Sequence, residues 1–257
     1  MAIPNLVPTT ARDAAIAGVR YHIEGELVPV LALDLPGQMP VFFEHHIMLY
    51  KDPTVDVHLK SLKGAFKRML AGMPIFMTEV NGPGRIAFSR DGAGHIFPIH
   101  LSAYQAVDVR EHQFLAATSN TECTFQWVKG ATNMLLGGTG LFVDTFTAGP
   151  QEACVWLHGY GNVFEVSLAP GESIDIEPGG WVYKDPQVSM QTMFQSLKAT
   201  FFGSSGAFTW NRFTGPGRVG LQSMYQGPSG VGSDSGTNTG TTAAGAALGV
   251  AAKLLGG

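Results

Sequence analysis

The chain has 257 residues, of which 45% are hydrophobic and only 14% are charged, so it can bury a sizeable core in one large domain or two small ones. Its net charge of −4 argues against a nucleic-acid-binding protein, because neutralising phosphates requires a basic face. The 33 glycines and 15 prolines indicate many turns, and the many Val, Phe and Ile residues favour strands. The composition predicts an all-β protein.

The N-terminal region has no basic stretch followed by an apolar one, so the sequence predicts no secretory signal. No run reaches 18 apolar residues, so we expect no transmembrane helix. Cys123 and Cys154 are too few for a disulfide framework and fit free thiols in a reducing compartment. We therefore expect a cytoplasmic protein. Residues 19–24, "VRYHIE", alternate between apolar and polar as a strand does.

Three stretches share one pattern: residues 30–49, 96–115 and 163–182 align without a gap. Apolar residues recur with a period of two, which is typical of half-buried strands, and Pro-Gly dipeptides in the first and third copies indicate turns. Each copy predicts strand, turn, strand, turn, strand. The matching apolar positions are Leu31, Leu33, Leu35, Val41, Phe43, Met48 and Leu49 in the first copy; Phe97, Ile99, Leu101, Val107, Val109, Phe114 and Leu115 in the second; and Phe164, Val166, Leu168, Ile174, Ile176, Trp181 and Val182 in the third.

A second block follows each of these stretches, at residues 64–76, 130–142 and 200–208. Residues 58–70, which overlap the first of these blocks, have apolar residues close to helical spacing. The sequence therefore predicts short helical turns there.

The motif "GPGR" occurs twice, in "NGPGRIAF" and "TGPGRVGL". Proline followed by glycine suits the two central positions of a type II β-turn, in which glycine adopts a positive φ. The motif lacks the GxxxxGK[ST] form of a phosphate-binding loop. We predict turns rather than a ligand loop, formed by Gly82, Pro83, Gly84, Gly215, Pro216 and Gly217.

The pattern divides the chain into three tandem repeats, at about residues 26–91, 92–158 and 159–225. A single repeat would bury too little surface to be stable alone, so we predict one pseudo-threefold β domain over residues 1–225. The tetrapeptide "YKDP" at the end of the first stretch recurs at the same place in the third.

The segments "YHIEGELVPVLALDLPGQ", "GPGRIAF", "GPGRVGLQS" and "GYGNVFEVSLAPGESIDIEPGGWVY" resemble the altered-inheritance-of-mitochondria family, which has bacterial and mitochondrial members. The resemblance covers about residues 19–225. It implies a fold like that of the tryptophan RNA-binding attenuation protein, a shortened double-stranded β-helix or β-sandwich unit present three times in one chain. It also implies oligomers, no established enzymatic activity and, from the mitochondrial relative, a link to inner-membrane organisation.

The densest group of candidate metal ligands is Glu44-His45-His46, where relatives usually have a small, Gly-containing turn. Cupin-type metal sites use an H-x-H pair, because alternate strand residues point the same way, and this chain has no H-x-H. His46 aligns with His112 and with Gly179, all in a turn between strands. Two hypotheses remain: solvated turn histidines, or a metal or small ligand held between repeats or subunits by His46 and His112. The first predicts less than stoichiometric metal and no cofactor.

No catalytic motif is found, and the single histidines His95, His100 and His158 fit structural roles better than catalytic ones. Lys and Arg do not recur at matching positions of all three repeats; Arg85 and Arg218 match each other but have no basic counterpart in the middle copy. The sequence therefore predicts no enzymatic activity and no nucleic-acid partner.

The composition changes after residue 225. Residues 226–242 are rich in Gly, Ser and Thr and predict a flexible linker. Residues 243–257, "AAGAALGVAAKLLGG", favour helix but are too short to span a bilayer. This tail is a disordered end, a helix docked on a subunit, or a weak membrane or partner anchor. The residues expected to make such contacts are Gly245, Leu248, Gly249, Leu254 and Leu255.

These observations predict a non-enzymatic, self-associating scaffold or binding module linked to membrane organisation. Its expected partners are further copies of itself, a protein of unknown identity and a peripheral membrane contact through the tail. The alternative is a cupin-like metal or small-ligand protein that uses the turn histidines. Metal content tests the alternative, and assembly with partner capture tests the scaffold.

Overall fold

A computed structural model describes residues 3–44, 47–61, 76–128, 141–194 and 209–224. These residues form 21 β-strands and no helix. In chain order the strands are β1 (Asn5–Leu6), β2 (Ala11–Ile16), β3 (Val19–Glu24), β4 (Val30–Leu35), β5 (Val41–Phe43), β6 (Met48–Lys51), β7 (Asp56–Ser61), β8 (Phe76–Asn81), β9 (Gly84–Phe88), β10 (Gly94–Leu101), β11 (Ala106–Arg110), β12 (Phe114–Thr118), β13 (Thr121–Val128), β14 (Leu141–Ala148), β15 (Ala153–Tyr160), β16 (Val163–Leu168), β17 (Ser173–Ile176), β18 (Trp181–Lys184), β19 (Ser189–Phe194), β20 (Thr209–Thr214) and β21 (Gly217–Gln222).

The strands form four antiparallel sheets. Their orders are β1-β16-β21-β18-β11-β14-β13, β10-β15-β12-β5-β8-β7, β2-β3-β4-β9-β6 and β17-β20-β19. The all-β prediction is therefore confirmed for the described residues, and the strand predicted over residues 19–24 is β3. The first two sheets are composite, because each combines strands that lie far apart in the sequence.

Most of the predicted apolar positions lie in the core. Leu31, Leu33 and Phe43 are buried in one cluster that also contains Trp156, and Trp181 is buried in another. Alternation along these strands puts one set of side chains on the inner face of each sheet. Burial of these large side chains supplies the main stabilising free energy.

Two of the predicted core positions are exposed. Met48 is 43% exposed and Leu49 is 59% exposed, although the matching residues of β12 and β18 are fully or almost fully buried. The difference arises because β6 is the edge strand of its sheet, whereas β12 and β18 each have a neighbour on both sides.

The helical turns predicted over residues 58–70 are wrong for the part that the structure describes. His58 and Lys60 lie in β7 and face Glu79 and Met77 of β8. Pairing with β8 overrides the weak helical spacing, since helix propensity and periodicity are local and the strand partner is not. Residues 62–70 lie outside the described residues, as do most of the three repeated blocks.

Candidate functional site

The histidine pair proposed as a metal site is only partly described. His112 lies in the turn between β11 and β12 with a φ of +65°, and the Gln113 amide donates to the Arg110 carbonyl across this turn at 3.2 Å. His45 and His46 lie outside the described residues. Within the described ranges there is no group of three or more His, Cys, Asp or Glu that could hold a metal ion.

The metal hypothesis therefore stays a prediction. Elemental analysis of protein purified without an affinity tag tests it, with His46→Ala as the comparison. A full equivalent of zinc, iron or nickel that this substitution removes would establish the cupin-like alternative.

Glu44, which precedes the two histidines, is held by an ion pair. Arg90 Nη1 donates to Glu44 Oε2 at 3.0 Å and to the Phe114 carbonyl oxygen at 2.9 Å. The arginine side chain is mostly buried. Burying its charge would be unfavourable without these hydrogen-bond acceptors. The same arginine therefore links the end of β5 to the start of β12, which is a structural role.

The buried histidines are neutral residues of the interior. Burial, together with the positive charge of Arg90, lowers the pKa of His158 to about 4. Burial also lowers the pKa of His95, whose Nδ1 accepts the Val163 amide at 3.2 Å. His100 is exposed on β10. Within the described residues the three histidines belong to no metal-binding cluster with acidic side chains, so their geometry fits the predicted structural roles.

The two GPGR motifs connect β8 to β9 and β20 to β21. Gly84 and Gly217 have positive φ values of +147° and +138°, but the peptide bonds before Pro83 and Pro216 are cis. The type II turn predicted from the sequence is wrong, because the glycine in that turn has a φ of about +80°, well below the values found at Gly84 and Gly217.

These turns are fixed by the aspartates of the "YKDP" motifs. Asp52 Oδ2 accepts the Arg85 amide at 2.8 Å, and Asp185 Oδ2 accepts the Arg218 amide at the same distance. A Cβ atom on Gly84 would lie 2.8 Å from Thr54 Oγ1. The GPGR backbone is thus packed against its own repeat, and this explains the glycine without a ligand.

Strands β18 and β11 lie far apart in the sequence but pair in one sheet, and we call such a pairing a joint. This joint contains a buried network of charged side chains. Where β18 pairs with β11, Lys184 Nζ donates to Asp108 Oδ2 at 2.7 Å and Thr145 Oγ1 donates to Asp108 Oδ1 at 2.7 Å. The Lys184 and Asp108 side chains are each only 9% exposed. The adjacent Tyr183 hydroxyl donates to Glu165, and burial raises the pKa of this tyrosine strongly. This network fixes the register of the joint.

A groove of about 500 Å³ is lined by β7, by the turn between β12 and β13, and by the end of β14. Lys60 lines it, but Lys60 Nζ donates to Glu79 Oε2 at 2.8 Å and to Ser119 Oγ at 3.0 Å. Burial would raise the pKa of Glu79, yet the hydrogen bonds from Lys60, Ser119 and His58 lower it. Because the lysine charge is already paired, the groove does not provide a cation for an anionic ligand.

One unusual surface is the edge strand β6. Met48, Leu49 and Tyr50 are 43%, 59% and 46% exposed, so three consecutive large side chains face solvent. Among the described strands β6 pairs only with β9. An exposed apolar edge with unpaired backbone groups is a template for pairing with another strand.

Comparison with known proteins identifies the family. The model of the mitochondrial biogenesis AIM24 family matches residues 21–224. The chain belongs to the AIM24 family. This confirms the resemblance seen in the sequence.

The AIM24 fold is also found in a crystal structure of a protein from Streptococcus pyogenes. The two share 21% sequence identity with a TM-score of 0.64, over 80% of this chain and 94% of the bacterial one. At this identity the likeness concerns the fold alone. A search of curated proteins gave no match. In the described part of this AIM24 chain, no helix has the length and apolar character needed to cross a membrane.

Sequence reasoning missed the joints and the exposed edge of this AIM24 protein. The recurrence of "YKDP" places Lys51 and Lys184 at matching positions. It was an available signal that the two lysines lie on corresponding strands. Nothing in the sequence indicated that Asp108 faces Lys184, because periodicity reveals which face of a strand is buried but does not identify its neighbour.

Proposed function

We propose that this AIM24-family protein is a non-enzymatic, self-associating scaffold or binding module. The observation that carries the proposal is the exposed apolar edge of β6. Monomeric proteins usually protect such edges with charges, prolines, bulges or a covering element. Strand β6 has a register shift between Met48 and Tyr50 and a charge at Lys51, yet Leu49 and Tyr50 still face solvent, and a partner strand would cover them.

The described chemistry supports a binding role over catalysis. The opposite charges of the buried Lys184 and Asp108 form a hydrogen-bonded ion pair, and those of Arg90 and Glu44 do the same. His158, with a pKa lowered to about 4 by burial, is neutral near pH 7 and has no carboxylate partner within the described ranges. A general acid or base instead needs a pKa near the working pH and access to a substrate.

We propose further that the domain consists of three copies of one unit, arranged as in the tryptophan RNA-binding attenuation protein. Three matching backbone hydrogen bonds support this arrangement. They join Ser89 N to Ile47 O at 2.9 Å, His158 N to Gln113 O at 2.8 Å and Gln222 N to Gly180 O at 2.9 Å.

The strand pairings of the three units support the same proposal. A register shift occurs between Met48 and Tyr50, between Phe114 and Ala116, and between Trp181 and Tyr183. A β-bulge inserts a residue at a defined place in a strand pair. Its occurrence at matching places is expected if the three units fold alike.

Light scattering of the full-length protein across a range of concentrations tests self-association. The expected result is a mass above the 27.3 kDa of one chain that falls on dilution. A mass of one chain at every concentration would exclude self-association as the function.

The membrane link of the scaffold rests on two observations. The family description refers to mitochondrial biogenesis. Residues 243–257 are rich in Ala and Leu and carry a single charge. An apolar segment at the end of a flexible linker can reach a membrane surface or a partner without changing the domain.

A further inference from the structure

One type of strand joint occurs twice within the chain. In the six-stranded sheet β12 pairs with β5, with Ala116 opposite Phe43. In the seven-stranded sheet β18 pairs with β11, with Tyr183 opposite Val109. In the repeat alignment Ala116 matches Tyr183, and Phe43 matches Val109. Both joints are therefore made by corresponding strands in the same antiparallel register.

The third joint of this type is not formed within the described strands. The strands that correspond to those of the two joints are β6, which carries Tyr50, and β17, which carries Ile176. In the described structure β6 pairs only with β9 and β17 only with β20, and both are edge strands of their sheets. Strands β6 and β17 thus correspond to the two partners of a strand pairing that the chain forms twice elsewhere.

The burial of the β6 residues shows what the unformed joint leaves uncovered. Leu49 is 59% exposed, whereas its counterparts Leu115 and Val182 are fully buried. Tyr50 is 46% exposed, whereas Ala116 and Tyr183 are buried. Completing the joint would remove this apolar surface from water, which is favourable in proportion to its area.

The charges at the two edges are also complementary. Lys51 corresponds to Lys184 and Asp175 corresponds to Asp108, the pair that joins β18 to β11 at 2.7 Å. In the described structure Lys51 Nζ donates to the Val55 carbonyl at 2.9 Å, and both oxygens of the exposed Asp175 accept from Arg212 at 2.7 Å. A carboxylate can accept several hydrogen bonds, so Asp175 can hold Arg212 and a lysine together, as Asp108 holds Thr145 and Lys184.

We propose that β6 of one copy pairs antiparallel with β17 of a second copy, with Tyr50 opposite Ile176 and Lys51 beside Asp175. The proposal rests on the self-association proposed above and specifies its interface. A second copy is the occupant because this chain itself presents both matching edges, with opposite charges in register. The contact is head-to-tail, so it generates a ring or a longer chain of subunits.

Cysteine cross-linking of the full-length protein tests this register. Lys51→Cys and Asp175→Cys are made as separate variants, mixed and mildly oxidised. Both positions lie at the surface or are half-buried, and the native Cys123 and Cys154 are buried. The expected result is a disulfide-linked dimer that forms in the mixture and is lost on reduction.

The control mixture pairs Lys51→Cys with Tyr104→Cys, an exposed position in the turn after β10. A linked dimer no more abundant than in this control would overturn the proposal. A single chain carrying both Lys51→Cys and Asp175→Cys provides the second test. If it gives only an internally linked monomer, the two edges join within one chain and the proposal is wrong.

A second variant tests the edge without introducing cysteine. Leu49→Lys places a charge on β6 at an exposed position, so we expect the protein to stay folded and to lose mass in light scattering. Leu59→Lys is the matched control, since Leu59 is 70% exposed on β7, the edge of another sheet. Loss of association with Leu59→Lys alone would assign the interface to β7 and contradict the proposal.

The two proposals fail in different ways. A wild-type protein with the mass of one chain at every concentration removes the self-associating function itself. A wild-type oligomer that persists in Leu49→Lys and gives no specific cross-link leaves self-association in place and removes only the pairing of β6 with β17.

Discussion

The ion pair between Lys184 and Asp108 shows how single residues fix the arrangement of distant strands. Their charges are buried where β18 meets β11, with Thr145 as a third member. Removing two charges from water costs several kcal/mol per ion, so the pair is tolerated only because each charge is satisfied. An incorrect register would leave both charges unpaired, and this makes the pair a determinant of specificity.

Lys184→Met should destabilise the fold by about 3 to 5 kcal/mol, because it leaves the Asp108 carboxylate buried without its cation. The double variant Lys184→Met with Asp108→Leu should recover most of this loss. Urea denaturation measures both. Arg212→Met is the control at the exposed pair with Asp175, where we expect a loss of about 1 kcal/mol or less. Equal losses at the two pairs would contradict the assignment of a buried network.

His158 should make stability depend on pH. In the folded protein the pKa of His158 is about 4, against 6.5 for an ordinary histidine. Between these two pH values the unfolded state therefore binds a proton at His158 and the folded state does not. The contribution of neutral His158 to the free energy of unfolding is therefore fully present above about pH 6.5 and is lost as the pH falls towards 4. The expected loss is about 2 kcal/mol at pH 5.

His158→Gln should remove this part of the pH dependence, because glutamine does not titrate in this range. The measurement is the free energy of unfolding in urea at pH 7 and pH 5, for the wild type and the variant. His100→Gln, at an exposed position on β10, should keep the wild-type dependence. If His158→Gln loses as much stability on acidification as the wild type, another group is responsible.

At the scale of elements, the turns are more tightly constrained than the strands. The GPGR turn is held between an aspartate that accepts its backbone amide and side chains that leave no space for a Cβ atom. Strand residues, in contrast, tolerate many apolar substitutions of similar size. We therefore expect the glycine positions to be more sensitive than their exposure suggests.

Gly84→Ala should cost about 3 kcal/mol, because it combines a positive φ with a contact of 2.8 Å to Thr54 and Val55. Gly171→Ala is the matched comparison, since its φ is also positive but a Cβ there meets nothing within 4 Å. Backbone strain alone should cost about 1 kcal/mol at Gly171. Thermal or urea unfolding of the two variants distinguishes them, and equal losses would show that packing at Gly84 is unimportant.

The whole molecule is organised by joints between distant strands. The two composite sheets depend on β12 meeting β5 and β18 meeting β11, and neither pair is adjacent in the sequence. The same type of joint is unformed at β6 and β17 among the described strands, and the pairing proposed above would use it to add a second copy. In that proposal, self-association and the internal architecture have one structural origin.

The C-terminal tail should act independently of the domain. Truncation after residue 226, the boundary of the compact unit, should abolish flotation with liposomes that contain anionic lipids, whereas the full-length chain floats. Light scattering should give the same number of chains per assembly for both, since the proposed interface lies on β6 and β17. Equal flotation of the two proteins would show that the tail makes no membrane contact.

The sequence by itself determined the all-β class and a set of apolar positions, most of which lie in the core. Alternation with a period of two is a local property, so β4, β10 and β16 could be placed with the buried face of each. The family followed from short motifs in a fixed order. The exposure of Met48 and Leu49, by contrast, could not be predicted, because their pattern equals that of the buried counterparts.

The tertiary structure alone decided which strands are neighbours. Residues 58–61 have helical spacing yet form a strand, because β8 supplies the backbone partners. His112 and the GPGR glycines were recognised as turn residues, but the packing of Gly84 against Thr54 and Val55 arises only in the folded chain. Hydrogen-bond partners along a strand edge are non-local, so only the folded chain reveals that β12 and β18 are paired on both sides, whereas β6 has one neighbour among the described strands.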